Sequence, residues 1–398
     1  MSKINDLIKK LCPNGVPYKE IKELCHVTRG RVISKNELRE NEGEYPVYSS
    51  QTLNDGVFGK INTYDFDGEY VQWTTDGANA GSIFYRNGKF SVTNVCGLLK
   101  VKDEYKDKLN TNFLNYILST VSKNYVNYAT SNPKLMSNVV EKIKVAVPPL
   151  EIQEEIVRIL DKFGELEAEL EAELEARKSQ YEFWRGDLFK QDIDKMVALE
   201  NIGDVTKLAG FEFSEYVNYS DEGNIIALRG LNVKNGHLIL NDVKYVDNSD
   251  FSKLNRSKLY ENDILYTYVG TVGQVGLVDK NDKYYLAPNV ARIRILDKKV
   301  NPKYVMHFLL TNEFKTNQLD PLSGTSSMKN ITMTNIRKFK IPVPSLDKQN
   351  RIVDILDKFD LLVNDISVGL PAEIELRRKQ YEYYRNKLLS FEELSVSE

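Results

Sequence analysis

The sequence predicts an α+β fold: two globular α/β heads, each followed by a long helix, in a pseudo-twofold repeat. Three observations predict it. Gln153–Phe163 reads QEEIVRILDKF and Gln349–Phe359 reads QNRIVDILDKF, one segment repeated at an offset of 196 residues. Apolar residues in and beyond each copy recur at steps of three and four, the seam of a coiled coil. The stretches between these helices carry β-rich runs separated by Asn-Asp-Gly and Arg-Asn-Gly turns. Two long copies half a chain apart mean duplication, not a short-period solenoid.

In chain order, residues 1–148 form the first head, with strand candidates Tyr45–Tyr48, Gly68–Trp73 and Gly97–Val101. Val147-Pro148-Pro149 holds the chain extended and opens the first helical spacer, 149–190. Its stripe runs through Ile156, Ile159, Phe163, Leu166, Leu170, Leu174, Tyr181, Trp184 and Leu188. Residues 152–189 would make a rod of about 57 Å. The second head, 191–344, offers Ile225–Leu228, Asp263–Tyr266 and Val290–Ile295 as strands. Val343-Pro344 opens the second spacer, 345–390, and an acidic tail, 391–398, ends the chain. Ile143–Leu150 matches Phe339–Leu346 at the offset of 196, whereas Arg177–Arg185 matches Arg377–Arg385 at 200. The second helical copy is therefore four residues longer, a stutter. Pro371 lies in that added region and is expected to kink or break the helix, because it lacks a donor and clashes with the preceding turn.

The heads resemble each other only weakly. Val27-Thr28 echoes Val205-Thr206, and Asn94-Val95 echoes Asn289-Val290. Asn112–Leu118 and Lys303–Leu310 look like equivalent short helices. Lys3–Pro17 is expected to pack near the C-terminal helix and complete a circular repeat. A closely repeated frame therefore carries two dissimilar heads.

The formal net charge of −3 argues against a uniformly basic nucleic-acid binder. The charge is unevenly divided. Residues 1–150 carry 20 basic and 16 acidic side chains, residues 191–344 carry 20 and 18, and helix 151–190 carries 6 and 12. The heads are mildly basic and the acidity sits on a spacer and the tail. Only three cysteines, Cys12, Cys25 and Cys96, in 398 residues exclude a disulfide framework, and the lack of any C-x-x-C pair disfavours structural zinc. No apolar run is long enough to span a membrane, and residues 1–6 hold no apolar signal core, so a cytoplasmic location is expected. Motifs of chemistry are missing too. Asn132-Pro133-Lys134-Leu135 lacks the second proline and the aromatic of an adenine-methyltransferase motif. Gly270–Gly276 fits neither a dinucleotide nor a phosphate loop. Glu104-Tyr105-Lys106 and Glu313-Phe314-Lys315 lack an upstream acidic partner, and His26, His237 and His307 read as isolated, with no metal site.

Several segments together resemble the specificity subunit of a type I restriction-modification enzyme, HsdS. They are the proline-led helices Pro148–Val157 and Pro344–Val353, the Gln-Tyr-Glu-aromatic-aromatic-Arg tails at 180–185 and 380–385, and the head segments Asp65–Tyr70 and Trp73–Gly81. The resemblance covers nearly the whole chain. It implies two target recognition domains, each reading one half of a bipartite, asymmetric double-stranded DNA site. It implies that the two helices pack as an antiparallel coiled coil, fix the distance between the heads, and bind two modification subunits. Those partners carry S-adenosylmethionine and methylate adenine, and restriction subunits using ATP and Mg²⁺ for translocation join them. This chain would then hold no cofactor, perform no catalysis and touch no membrane. A different reading is a coiled-coil scaffold whose heads bind protein or carbohydrate.

Base reading needs Arg or Lys for guanine and Asn or Gln for adenine, and phosphates are held by Lys, Arg, Ser, Thr and backbone N–H groups. Loops combining these types with glycine supply the DNA-contact candidates. In the first head they are Arg29, Arg31, Ser50, Gln51, Thr75, Asn79, Arg86 and Lys134. In the second they are Arg229, Tyr268, Gln274, Thr325 and Lys329. Ala129–Lys134 and Ser323–Asn330 hold the same place before each proline-led helix and are the strongest pair. The competing reading is that such loops are solvated turns and that Trp73 is core. On the helices, Tyr181, Trp184, Tyr381 and Tyr384, with Phe183 and Tyr383, are too many large aromatics for one seam, so a rim set is expected to face a modification subunit.

Overall fold

The computed structural model describes residues 2–129, 131–190, 196–208, 215–322, 330–365 and 367–394. The chain forms two compact units, Met1–Glu169 with Ile374–Glu398, and Leu170–Glu373. Each boundary falls inside a helix: the first unit holds one head with helical residues 150–169 and 374–388, and the second holds the other head with helical residues 170–187 and the whole of Leu346–Asn364.

The strands of the first unit are β1 (Tyr18–Glu20), β2 (Cys25–Arg29), β3 (Tyr45–Tyr48), β4 (Val57–Ile61), β5 (Phe66–Asp67), β6 (Tyr70–Thr74), β7 (Ile83–Arg86), β8 (Lys89–Val92), β9 (Cys96–Val101) and β10 (Lys144–Ala146). An antiparallel sheet runs β2-β9-β6-β7, a mixed sheet runs β4-β3-β8-β5 with β3 parallel to β8, and β1 pairs with β10. Trp73 of β6 is fully buried and lies across Gly97 of β9, where a Cβ would fall 2.1 Å from the indole. Only glycine permits that approach. The indole N–H donates to the Leu135 carbonyl at 3.0 Å, which ties the sheet to the loop before the proline-led helix.

Behind this sheet, Val71, Leu99, Phe113 and Ile117 meet Ile152, Ile156 and Leu160 of the long helix Leu150–Asp187. That helix half packs antiparallel on the C-terminal helix Leu370–Leu388: Arg378 pairs with Glu167 at 2.6 Å, and Phe163 stacks on Tyr384 at 5.6 Å. The N-terminal helix Ser2–Leu11 adds Ile4 to the same core as Leu388 and Leu389. The Val16 N–H donates to Glu392 at 2.8 Å and the Leu394 N–H to Val16 at 3.0 Å. Gly15, at φ +101°, permits this pairing, since a Cβ there would sit 2.8 Å from the Glu393 carbonyl oxygen. Residues 2–16 thus pack beside the C-terminal helix, as expected of a circular repeat.

The second unit repeats the plan with β11 (Met196–Ala198), β12 (Gly203–Lys207), β13 (Ile226–Leu228), β14 (Val233–Lys234), β15 (His237–Leu238), β16 (Lys244–Tyr245), β17 (Ile264–Thr267), β18 (Val275–Leu277), β19 (Tyr284–Leu286), β20 (Val290–Ile295) and β21 (Lys340–Pro342). Its sheets run β12-β20-β17-β18, β16-β13-β19, β14-β15 and β11-β21. Tyr266 of β17 takes the place of Trp73, opposite Ala291 where the first head has Gly97. The smaller ring tolerates the alanine methyl. Strand register aligns Asn289 with Val95, not with Asn94, so the Asn-Val echo in the sequence is out of step by one residue.

The repeated helical residues have a shared task. Gln153 is wholly buried; its amide oxygen accepts from the Asn110 N–H at 2.8 Å, and its amide nitrogen donates to Lys108 at 2.7 Å and Pro148 at 2.6 Å. Gln349 does the same with Asn301 at 2.9 Å, Lys299 at 3.0 Å and Pro344 at 2.8 Å. Asn110 and Asn301 in turn cap the equivalent helices Thr111–Val121 and Pro302–Leu309. Asp161 accepts from the Tyr116 hydroxyl at 2.6 Å, and its counterpart Asp357 accepts from Lys303 at 2.6 Å and pairs with His307 at 3.0 Å. Each head is stapled to its helix by the same two polar positions.

One expectation holds and one needs correction. The second spacer is broken in the added region, as expected of Pro371, into two helices, Leu346–Asn364 and Leu370–Leu388. Pro371 is the second residue of the later helix, where its missing donor costs nothing, so the break falls just before it. Two of the histidines are not isolated: His307 meets Asp357, and His237 pairs with Asp360 at 2.9 Å. Among the described residues no His, Cys, Asp or Glu cluster could hold a metal, and no helix is long and apolar enough to cross a membrane.

Candidate nucleic-acid interface

The central strand of each head ends in the same turn. After β6, the Thr75 N–H donates to Val95, the Gly81 N–H to Thr74, and the Leu135 N–H to Thr75, at 2.8–2.9 Å. After β17, the Tyr268 N–H donates to Asn289, the Gly273 N–H to Thr267, and the Ile331 N–H to Tyr268, at 2.9–3.2 Å. Gly77 and Gly81, then Gly270 and Gly273, take the left-handed conformations that bend the chain. Backbone bridges join Asp76 to Lys134 and Val269 to Asn330. One backbone frame therefore presents Arg29, Thr75, Asp76 and Lys134 in the first head, and Lys207, Tyr268, Val269 and Asn330 in the second.

In the first head this frame gathers many of the sequence candidates. The Arg29 guanidinium donates to Thr75 Oγ1 at 3.1 Å and to the Asn94 carbonyl at 2.6 Å. Thr75 donates to Asp76 at 2.7 Å, while Arg29 and Lys134 stand 3.9 and 3.8 Å from the Asp76 carboxylate. Those two cations are loosely neutralised and part-exposed, so a phosphate can compete for them. The Asn79 amide donates to the Ser50 carbonyl at 3.0 Å and brings the Ser49–Gly56 loop alongside.

Other candidates are committed elsewhere. Arg31 is paired with Glu37 at 2.6 Å and Asp65 at 3.1 Å. The Gln51 amide donates to the Val57 carbonyl. Arg86 is only 2% exposed; it donates to Gln72 at 2.7 Å and Asp55 at 2.6 Å, and lies over the Tyr48 ring at 3.7 Å. It holds a loop from beneath.

In the second head, Arg229, Thr267, Val269 and Asn289 line one cleft. Arg229 donates to Asp242 at 2.7 Å, Tyr268 is 8% exposed with Lys207 5.5 Å above its ring, and the Gln274 backbone N–H donates to Thr267 at 2.9 Å. Thr325 and Lys329 lie outside the described residues. Sequence reasoning missed Lys207, although the residue after the repeated Val-Thr pair is Arg29 in one head and Lys207 in the other.

The helix aromatics divide. Tyr181 is 5% exposed, stacked on Phe359 at 6.1 Å with its hydroxyl donating to Asp360 at 3.4 Å. Tyr381 and Tyr384 are half-buried against Phe163. Trp184, Phe183 and Tyr383 are exposed. The rim set is therefore Phe183, Trp184 and Tyr383, and Tyr181 belongs to the seam.

Comparison with known proteins agrees with this duplicated plan. The model for the type I restriction modification DNA specificity domain matches twice, over residues 13–176 and 195–376. The chain belongs to that family and carries two copies of its domain. A Mycoplasma pneumoniae protein named as a type I specificity subunit is 35% identical over 378 residues, 94% of this chain and 97% of the relative. The MpnII specificity subunit of the same organism is 44% identical over 188 residues, 46% of this chain and 56% of its own. The fold is shared with a solved S subunit from M. genitalium at a TM-score of 0.55 and 14% identity, covering 94% of this chain and 96% of that one. A chain from a solved type I restriction-modification system matches at a TM-score of 0.59 and 15% identity, covering 95% and 98%.

Proposed function

We propose that this chain is the non-catalytic specificity subunit of a type I restriction-modification enzyme, each head reading one half of a bipartite double-stranded DNA target. One observation carries the proposal. The same strand-end frame occurs twice, bearing Arg29, Thr75, Asp76 and Lys134 in one copy and Lys207, Tyr268, Val269 and Asn330 in the other. A reader of two unlike half-sites needs a constant frame that seats the duplex, with cations such as Arg29 and Lys134 on phosphates and unlike neighbouring side chains left to meet the bases. The helices supply the spacing, and Phe183, Trp184 and Tyr383 supply apolar contact area for modification subunits, which bring S-adenosylmethionine. Restriction subunits bring ATP and Mg²⁺. The cytoplasm, where the DNA lies, is the matching location. Mildly basic heads neutralise few phosphates, so DNA affinity rises when modification subunits close around the duplex. The test is DNA binding and methyl transfer by the chain alone and with its modification partner. Salt-sensitive, sequence-specific binding only in the complex, with no methylation by the chain alone, supports the proposal. Methyl transfer by the isolated chain would overturn the division of labour.

A further inference from the structure

Each head exposes a leucine beside its strand-end frame. Leu53 is 82% exposed and Leu231 is 53% exposed. Both follow the strand of the second sheet that pairs in parallel with a neighbour: β3 with β8, and β13 with β19. The correspondence extends to the backbone, since the Thr93 N–H donates to Tyr48 at 2.9 Å and the Ala287 N–H to Leu228 at 3.2 Å.

Neither leucine sits on a slack loop. Asn54 and Asp55, after Leu53, both have φ of +50°, and Gly56 has φ of +78°. Left-handed backbone at successive non-glycine residues persists only where the surroundings impose it. Here the buried Arg86 imposes it: Nη1 donates to the Asp55 carboxylate at 2.6 Å and Nη2 to the Asp55 carbonyl at 2.8 Å. In the second head the buried residue is Asn232. Its oxygen accepts from the Arg229 N–H at 3.1 Å, and its nitrogen donates to Ile239 at 2.8 Å and Asp242 at 2.7 Å. Two unrelated polar anchors thus hold two leucines out into solvent in the loops that follow equivalent strands.

Both turns also border the cationic frame. The Ser50–Asn79 hydrogen bond joins the Leu53 loop to the Thr75 turn, and Leu231 lines the cleft it shares with Arg229, Val269 and Asn289. An exposed leucine gains little from water, and its natural partner beside phosphate-binding cations is the apolar part of a duplex. In a groove that part is a thymine methyl or an opened base step.

The geometry points to Leu53 and Leu231 as apolar base-contacting probes, one for each half of the target, with Arg86 and Asn232 as their positioning residues. This assignment rests on the DNA-reading function proposed above. The experiment uses the complete complex with modification subunits in cells, and the methylated motif is read by sequencing genomic DNA. Duplexes carrying that motif then serve for binding. Leu53→Ala should relax the first half of the motif and leave the second intact, and Leu231→Ala should do the reverse. Each should weaken specific binding about tenfold, because an apolar contact is lost, with no change in the salt slope, because no phosphate contact is lost. Arg86→Gln should relax the same half-site as Leu53→Ala, and thermal melting separates this from unfolding. If the wild-type complex writes a bipartite motif while both leucine variants keep that motif and affinity, the probes are refuted and the function stands. If the wild-type complex writes no bipartite motif, both are refuted.

Discussion

Replacing Gln153 by alanine removes an amide that joins the head to its helix at three points. The bond to the Pro148 carbonyl is fully buried, and those to Lys108 and Asn110 are partly so. An orphaned buried polar group costs about 1–3 kcal/mol. One fully enclosed orphan and two that water reaches in part give about 2–4 kcal/mol for the first unit. At about 2–4 °C per kcal/mol for a unit of this size, its melting temperature should fall by roughly 4–16 °C. Gln153→Glu should be no better, since a carboxylate would face two carbonyl oxygens. The assay is thermal unfolding, with hydrogen exchange reporting loss of protection at the Asn110 amide. Gln349→Ala should cause the matching loss at Asn301 in the second unit. Melting within about 1 °C of wild type for both alanine variants would refute the staple.

Three further outcomes follow from particular contacts. Arg29→Ala and Lys134→Ala should each weaken DNA binding by the complex and lower the salt slope by about one, leaving the methylated motif unchanged; a relaxed motif with an unchanged slope would contradict phosphate contact. Trp184→Ala combined with Tyr383→Ala should reduce co-purification with the modification subunit, whereas Tyr181→Ala should lower the melting temperature of the second unit; undiminished co-purification would sink the rim assignment. The hydrogen bond to Asp360 raises the His237 pKa above its ordinary 6.5. The folded state therefore favours the protonated ring, a stabilisation complete below pH 6.5 and lost as pH rises through the folded-state value. His237 is half exposed, so the effect is small, and His237→Gln should flatten that part of the stability–pH curve.

The helical frame was legible because periodicity and repetition are local signals. Gln153 and Gln349 stood out as repeated letters, but their task depends on Lys108, Asn110, Lys299 and Asn301, which only folding brings near. The strand equivalence was harder, because one face of each strand is generic core while the other carries the head's individual chemistry. Trp73 against Gly97 and Tyr266 against Ala291 solve one packing problem in two ways, and neither pair announces itself in sequence. Arginine is ambiguous for a related reason: Arg29 and Arg86 read alike as loop cations, yet burial under Tyr48 and Asp55 makes Arg86 structural. Tyr181 looked like its neighbours Phe183 and Trp184, and a turn of 100° per residue separates the seam from the rim.

Two independent heads on one frame should read two independent half-sites. The most direct test exchanges residues 191–344 for the equivalent head of another family member and sequences the methylated genome of cells expressing the complex. The expected result is a motif in which one half is replaced and the other half is unchanged. A motif altered in both halves, or in neither, would contradict it.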